Sequence, residues 1–382
     1  MCYNSVKDMK KIKVAYFEPY MPYEDYAVNP SGYGGGACFA RWAKEFWNGD
    51  DEFEFYIFAP ANCFRNVVPQ TEKHEYCIPI SEEVFSSIKN GEPLKGLIDN
   101  IEQFDIVMHH GMNVHFNTDG LDVKQVCWTP MGTIEEASDL IDHVFCYRGN
   151  QNPSRSGQYT YRIQLGKPVP TEFVPCRDKE DIIFQCTRHD RQMNTIEVIE
   201  QCIENRIRFY FAGPAMQDDE FGKNYEWMSR MGDENKYYPI WDHLGEEVIT
   251  YLGNPISEDM KLEFNKKARL TSFLFKRSPS FNQSAIESLA QGTPILVPKE
   301  DLPERRHDDF MHPGDILENE QWLKNLVQEG DTGFLFDGTN FAECFERAKD
   351  TSPLKCWEVA REYDVMNMLS SFETAVKQVM DT

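Results

Sequence analysis

Residues 278–297 read Ser278-Pro279-Ser280-Phe281-Asn282-Gln283-Ser284-Ala285-Ile286-Glu287-Ser288-Leu289-Ala290-Gln291-Gly292-Thr293-Pro294-Ile295-Leu296-Val297. A polar turn runs into a helix that carries Glu287. The helix stops at Gly292, a position suited to a left-handed cap, and Pro294 opens the apolar run Pro294-Ile295-Leu296-Val297. The order is loop, helix, tight turn, buried strand. It turns backbone N–H groups and one helical carboxylate toward the same point, as a phosphate-bearing ligand requires.

Outward from this stretch the alternation repeats. In the second half, apolar runs predict strands at Asp181–Cys186, Arg208–Ala212, Val248–Leu252, Thr271–Phe275, Ile295–Val297 and Gly333–Phe336. In the first half they predict strands at Lys11–Phe17, Phe53–Phe58, Phe104–Met108, Lys124–Trp128 and His143–Tyr147. A helix is expected over Ala37–Trp47, with Phe39, Trp42, Ala43, Phe46 and Trp47 on one broad face. Strands alternating with helices indicate parallel βαβ units. Between the halves, Asn150–Gln164 is polar and without core periodicity, and Lys167–Pro175 reads as a strap between domains. The end of the chain, Pro353–Met380, reads as helix with a break. The expected division is a first domain over 1–165, a second over 166–352 and a C-terminal helical segment over 353–382.

A chain of 382 residues is comfortable for two α/β domains. The 11 cysteines are scattered, with no CxxC pair and no metal-ligand spacing, which points to a reduced, cytoplasmic compartment. No apolar leader precedes the first strand and no apolar run reaches 18 residues, so no membrane span is expected. The formal net charge of −24 opposes long-range approach to a polyanion such as DNA. A local basic groove would have to come from Lys266, Lys267, Arg269, Lys276, Arg277, Arg305 and Arg306; as ordinary surface charges they carry no function.

The run Glu287-Ser288-Leu289-Ala290-Gln291-Gly292-Thr293-Pro294-Ile295 resembles the signature of retaining nucleotide-sugar glycosyltransferases of the GT-B fold, the group of glycogen and sucrose synthase relatives. Four other stretches resemble that family in the same order. They are Ile182–Arg188, Phe209–Gly213, Val248–Met260 and Gly330–Phe336. The resemblance implies an α/β protein of two Rossmann-like parallel-sheet domains facing across a cleft. The first domain would take the acceptor, the second the nucleotide-diphosphate sugar, and the last helix would cross back to the first. Arg188 would then clamp the donor diphosphate, Gly253, Asn254 and Ile256 would meet the nucleobase, and Glu287 would take the ribose hydroxyls. Phe281, Asn282 and Gln283 would offer N–H groups at a helix start, with Ser284 beside them. These residue types suit the reaction, because charge builds on the departing diphosphate and fixed donors stabilise it; an arginine does so with two parallel bonds.

Two departures stand out. Pro279 occupies the place of the family's first glutamate, so Asn282 or Gln283 holds the transferred sugar instead, or catalysis is impaired. The family's lysine would fall near Met193 or Asn194, neither of which carries charge; Arg191 substitutes for it, or is simply exposed.

In the first half, the Gly34-Gly35-Gly36 loop allows backbone to approach a phosphate or sugar at Gly34 and Gly35. His109 and His110 follow a strand end, where open parallel sheets place ligands. By the resemblance a histidine here lies beside donor sugar and acceptor, so His109, His110 and Arg188 are the catalytic candidates. Adjacent histidines point apart and suit zinc poorly. Trp128 reads as core filler rather than a stacking platform. Without a D-x-D motif no obligatory metal or other cofactor is expected beyond the nucleotide sugar. The expected function is hexosyl or pentosyl transfer with retention. The acceptor is either a glycan or small molecule, or a hydroxymethylated pyrimidine in phage or viral DNA, which would place the protein in a host cytoplasm. The alternative is a catalytically degenerate scaffold in an assembly. The oligomeric state is not legible.

Overall fold

The computed structural model describes residues 11–17, 43, 47, 52–60, 76–110, 116–129, 141–146, 157–176, 178–187, 189, 194–213, 243–253, 256–275, 282–299 and 322–382. The chain divides into two compact units, Met1–Leu165 with Val365–Thr382, and Gly166–Asp364. Among the described residues no helix is long and apolar enough to cross a membrane.

Unit 1 holds one sheet of β1 (Ile12–Phe17), β2 (Phe53–Pro60), β3 (Cys77–Ile80), β4 (Ile106–His110), β5 (Lys124–Thr129), β6 (His143–Cys146) and β7 (Tyr159–Arg162). The order is β3-β2-β1-β4-β5-β6-β7, and every pairing is parallel. Both faces are covered, so the strands read as continuous apolar runs. One face packs Ala15, Phe17, Phe58 and Val107 against Phe85 and Ile88 of α1 (Glu82–Lys89). The other carries Tyr16, Phe55, Trp128 and Phe145, with Trp47 and the C-terminal helix α7 (Val365–Met380). The buried residues of α7 are Val365, Met368, Leu369, Phe372, Ala375, Val376 and Val379, a three-to-four spacing that makes one stripe. Phe372 meets Trp128 edge-on at 4.9 Å and Trp47 at 6.1 Å, and Trp47 Nε1 donates to Glu373 Oε1 at 2.9 Å.

Unit 2 holds β8 (Glu180–Cys186), β9 (Arg208–Ala212), β10 (Ile249–Tyr251), β11 (Ala268–Ser272), β12 (Ile295–Pro298) and β13 (Gly333–Phe336). They form a second all-parallel sheet in the order β10-β9-β8-β11-β12-β13. On one face Ile183, Phe209, Phe211, Leu270 and Leu296 pack with α2 (Thr195–Asn205) and α5 (Phe341–Arg347). On the other, Ile182, Phe184 and Ala268 pack with Ile256 and with Phe264 of α3 (Glu258–Lys267). Helix α4 (Gln283–Ala290) packs along α6 (Pro353–Glu362). The chain's entry into this unit lies against its exit, because Lys167 N donates to Tyr363 O at 2.9 Å.

In each sheet the strand order reverses once, at β1/β4 and at β8/β11. Open α/β sheets bind ligands outside the carboxyl ends of the strands at such a point.

Three strands differ from their sequence expectation. β3 contains Pro79 and was not expected; as an edge strand paired only to β2 it tolerates a residue with no N–H. β7 lies in the polar stretch Asn150–Gln164, where no strand was expected. It too is an edge strand, with Tyr159 and Arg162 exposed, and so has no core periodicity to show. β11 begins at Ala268, three residues before the expected Thr271, because α3 passes into it with Ala268 as its C-cap. Its Arg269 is held by Asp181 and by Glu346 at 3.3 Å and lies over the Phe345 ring.

Candidate functional site at the carboxyl edge of the second sheet

The start of α4 is built by Asn282. Its backbone is extended, and its side-chain oxygen accepts from Ala285 N at 3.1 Å, an N-cap that satisfies one of the helix's unpaired donors. The first N–H groups of a helix have no partner within it, so those of Gln283 and Ser284 head the first turn. Asn282 itself is buried, and Gln283 and Ser284 are half-buried. At the other end Gly292 takes φ +74°, and a Cβ there would meet Phe173 at 2.7 Å. Only glycine satisfies both the left-handed backbone and the close approach.

Glu287 is 5 % exposed. Its Oε1 accepts from Lys261 Nζ at 2.8 Å and also from Lys167 Nζ. Lys261 reaches Glu258 Oε2 at 2.8 Å as well. The Lys261 side chain is 4 % exposed and that of Lys167 15 %. Among the described residues no hydrogen bond reaches Glu287 Oε2. This cluster lies beside the end of β8: burial pushes the Cys186 thiol up to about 11, and Lys261, Glu258 and Lys167 are the charges that act on it.

The neighbouring strand ends are stitched together by backbone. Thr187 N donates to Ala212 O at 3.1 Å, and Gly213 N to Gly253 O at 3.1 Å. Gly213 has φ +117°, and a Cβ would lie 2.0 Å from Thr187 O, so β8 and β9 can close only over glycine. Gly253 follows β10, and among the described residues nothing lies within 4 Å of a Cβ placed there. His189 is fully buried and bridges Thr195 Oγ1 and Ala212 O, each at 2.9 Å. Burial lowers its pKa to about 4, so near neutral pH it is an uncharged tie between the β8 loop and α2.

Of the sequence candidates, Gly253, Asn282, Gln283, Ser284 and Glu287 all belong to this unit, at strand ends and on α4. Ile256 is there too, but its side chain is buried in the core with Phe184. His109 is the penultimate residue of β4 in unit 1, its ring fully buried and edge-on to Phe116 at 4.9 Å. His110 is the last residue of that strand, and its side chain lies outside the described residues, as do Gly34, Gly35, Arg188, Arg191, Asn254 and Phe281. Asn194, where the family lysine would fall, is a buried N-cap of α2 in the left-handed region, φ 50°. Trp128 is core, as expected.

Lys167 and Lys261 were not among the candidates. The sequence carried little signal for Lys261: it shares the buried side of α3 with the polar Asn265, while the apolar Met260 is exposed. Lys167 carried none, because 120 residues separate it from Glu287.

Two parallel sheets, each with a single order reversal, define an α/β architecture of paired Rossmann-like units. Comparison with solved structures identifies it as the GT-B glycosyltransferase fold. The chain is similar to a glycosyltransferase from Rickettsia africae (TM-score 0.62, 11 % identity, covering 97 % of this chain and 99 % of that one). It is similar to Anabaena HepE in complex with UDP (TM-score 0.60, 10 % identity, 96 % and 100 % covered). It also resembles sucrose-phosphate synthase from Thermosynechococcus elongatus (TM-score 0.59, 13 % identity, 97 % and 100 % covered). No protein-family model and no curated protein matches the sequence.

Proposed function

We propose that this chain transfers a sugar from a nucleotide-diphosphate donor to an acceptor hydroxyl, with unit 2 holding the donor and unit 1 the acceptor. The observation that carries this reading is Glu287: a buried, ion-paired carboxylate on α4, beside the end of β8 at the sheet's order reversal. In a GT-B fold that is where a ribose would be gripped. UDP is the first nucleotide to try, since HepE was crystallised with UDP and with UDP-glucose.

Transfer proceeds with retention. The bond from the anomeric carbon to the phosphate oxygen breaks while the acceptor oxygen bonds to the same face, and the acceptor proton passes to the departing phosphate oxygen. Such chemistry asks the protein for positive charge and N–H donors at the diphosphate rather than for a base. Arg188 supplies the main charge, with Arg191 in support and the N–H groups of Phe281, Asn282 and Gln283 at the start of α4, beside Ser284. Gly253, Asn254 and Ile256 present backbone to the nucleobase. Gly34 and Gly35 keep, on the sequence alone, a proposed role in binding the donor. His110 is the proposed acceptor-side histidine, and the enclosed His109 supports that strand end rather than touching substrate. A glycan or small-molecule acceptor fits better than a DNA base: net charge is −24, and two of the candidate groove cations are spent, Lys267 on Glu263 and Arg269 on Asp181 and Glu346.

The test is acceptor-dependent release of nucleoside diphosphate from a panel of nucleotide sugars, with the product's anomeric configuration read by NMR. Release with inversion contradicts the retaining mechanism, and no release from any donor contradicts transfer. A second reading, a scaffold that has given up catalysis, is favoured by Pro279, by the uncharged Asn194 and by the ion pairs already on Glu287. A chain that binds no nucleotide at all would support it.

A further inference from the structure

Lys261 and Lys167 converge on one oxygen of one carboxylate. Burying two ammonium groups is expensive unless each is matched, and a carboxylate has two oxygens over which cations could spread. Here both fall on Oε1, and among the described residues no hydrogen bond reaches Oε2. Three consequences follow from that asymmetry. The carboxylate is held ionised, so it acts only as an acceptor. Its plane is fixed from two sides, by α3 through Lys261 and by the entry segment through Lys167, whose backbone is itself tied to Tyr363 O. Its remaining acceptor capacity is concentrated on Oε2, which suits a ligand that brings hydroxyl donors and no carboxylate or carbonyl.

We infer that Lys261 and Lys167 are positioning residues that hold Glu287 ionised and oriented to accept the ribose hydroxyls of a nucleoside diphosphate. This rests on the donor-site reading above. It makes the two lysines determinants of sugar discrimination in the nucleotide, ribose over deoxyribose, although neither needs to touch the nucleotide. A hydrogen bond to a charged acceptor contributes enough that losing one ribose hydroxyl weakens binding about ten- to a hundredfold.

The experiment is calorimetric titration of UDP, GDP and ADP, each beside its 2′-deoxy counterpart, into the wild type, Lys261→Met and Lys167→Met. The wild type is expected to prefer the ribonucleotide of the series it binds by about tenfold or more. In each variant that preference collapses toward one, while affinity for the 2′-deoxynucleotide stays within about threefold of wild type. Equal loss of both affinities shows a purely structural ion-pair cluster and overturns the inference, and so does an undiminished preference. A wild type that binds nucleotides without ribose preference removes Glu287 from ribose recognition and overturns it as well, leaving the donor site standing. A wild type that binds none of the six overturns the donor-site reading itself, and the inference with it. Circular dichroism checks folding, and if Lys261→Met does not fold, the more exposed Lys167→Met decides.

Discussion

The two units share an architecture and fill it with opposite chemistry. Unit 1 is held by aromatic rings: Tyr16, Phe17, Phe55, Phe58, Trp47, Trp128, Phe145 and Phe372 are all buried, and the buried polar side chains among its described residues are His109, His143 and Gln158. Unit 2 buries a long polar series, from Gln185 and His189 through Lys261, Thr271, Ser272 and Glu287 to Thr332 and Asp364. Apolar burial is non-directional and leaves no group in need of a partner. Buried polar and charged groups cost several kcal/mol unless each is paired, so a core that retains them is shaped by more than stability. Of that series Lys261 and Glu287 lie beside the end of β8, and this supports proposing the donor site there.

The sharpest way to break the contrast is to delete the centre of each core. Phe372→Ala in unit 1 leaves a cavity among Trp47, Trp128 and Phe145 and is expected to lower unfolding free energy by about 3–5 kcal/mol. Glu287→Ala in unit 2 leaves Lys261 buried without its main carboxylate, at a similar expected cost of about 3–5 kcal/mol. The difference lies in the repair. Replacing Lys261 and Glu287 together, by Met and Leu, should recover most of the stability while any preference for ribonucleotides stays lost. Chemical denaturation distinguishes these outcomes, and a double variant no more stable than Glu287→Ala would mean the loss is a packing defect.

Next in size is a pH effect confined to unit 2. The folded pKa of His189 is about 4, below its unfolded value of 6.5, because burial opposes its charge. Between those values the unfolded chain binds more protons, so this contribution is complete above about pH 6.5 and is lost as pH falls toward 4. The shift corresponds to about 3 kcal/mol. Comparing stability at pH 7 and pH 4.5 for wild type and His189→Gln should show a smaller acid loss in the variant; equal losses would assign the acid sensitivity to other groups.

A smaller effect is expected at Gly292, where alanine meets both a left-handed backbone and the Phe173 ring. Gly292→Ala should cost about 1–3 kcal/mol, read as a lowered melting temperature, and an unchanged value would show that Phe173 moves aside freely. The smallest expected effect is that of EDTA, which should leave any nucleotide-induced stabilisation unchanged.

What the sequence made legible follows the same contrast. Strands buried on both faces, such as Ile12–Phe17 and Ile295–Pro298, announce themselves as apolar runs. The helix carrying Glu287 and its stop at Gly292 were readable because the cap residues Asn282 and Gly292 act locally. Edge strands β3 and β7 were not readable, since half their environment is solvent and Pro79 argues against a strand. The family-like residues made α4 and the strand ends of unit 2 the candidate site, whereas the ion pairs on Glu287 were not legible. Nothing local tells that Lys167 reaches across 120 positions to Glu287, or that a charge in Glu258–Lys267 faces inward rather than to water.

The most direct measurement is a thermal shift of the intact chain with a panel of nucleoside diphosphates and nucleotide sugars, with and without EDTA. A donor site predicts a selective rise in melting temperature with one nucleotide and its sugar, saturating with concentration and absent in Arg188→Ala. No rise with any member of the panel would contradict a donor site on unit 2 and leave its buried charges as a structural core.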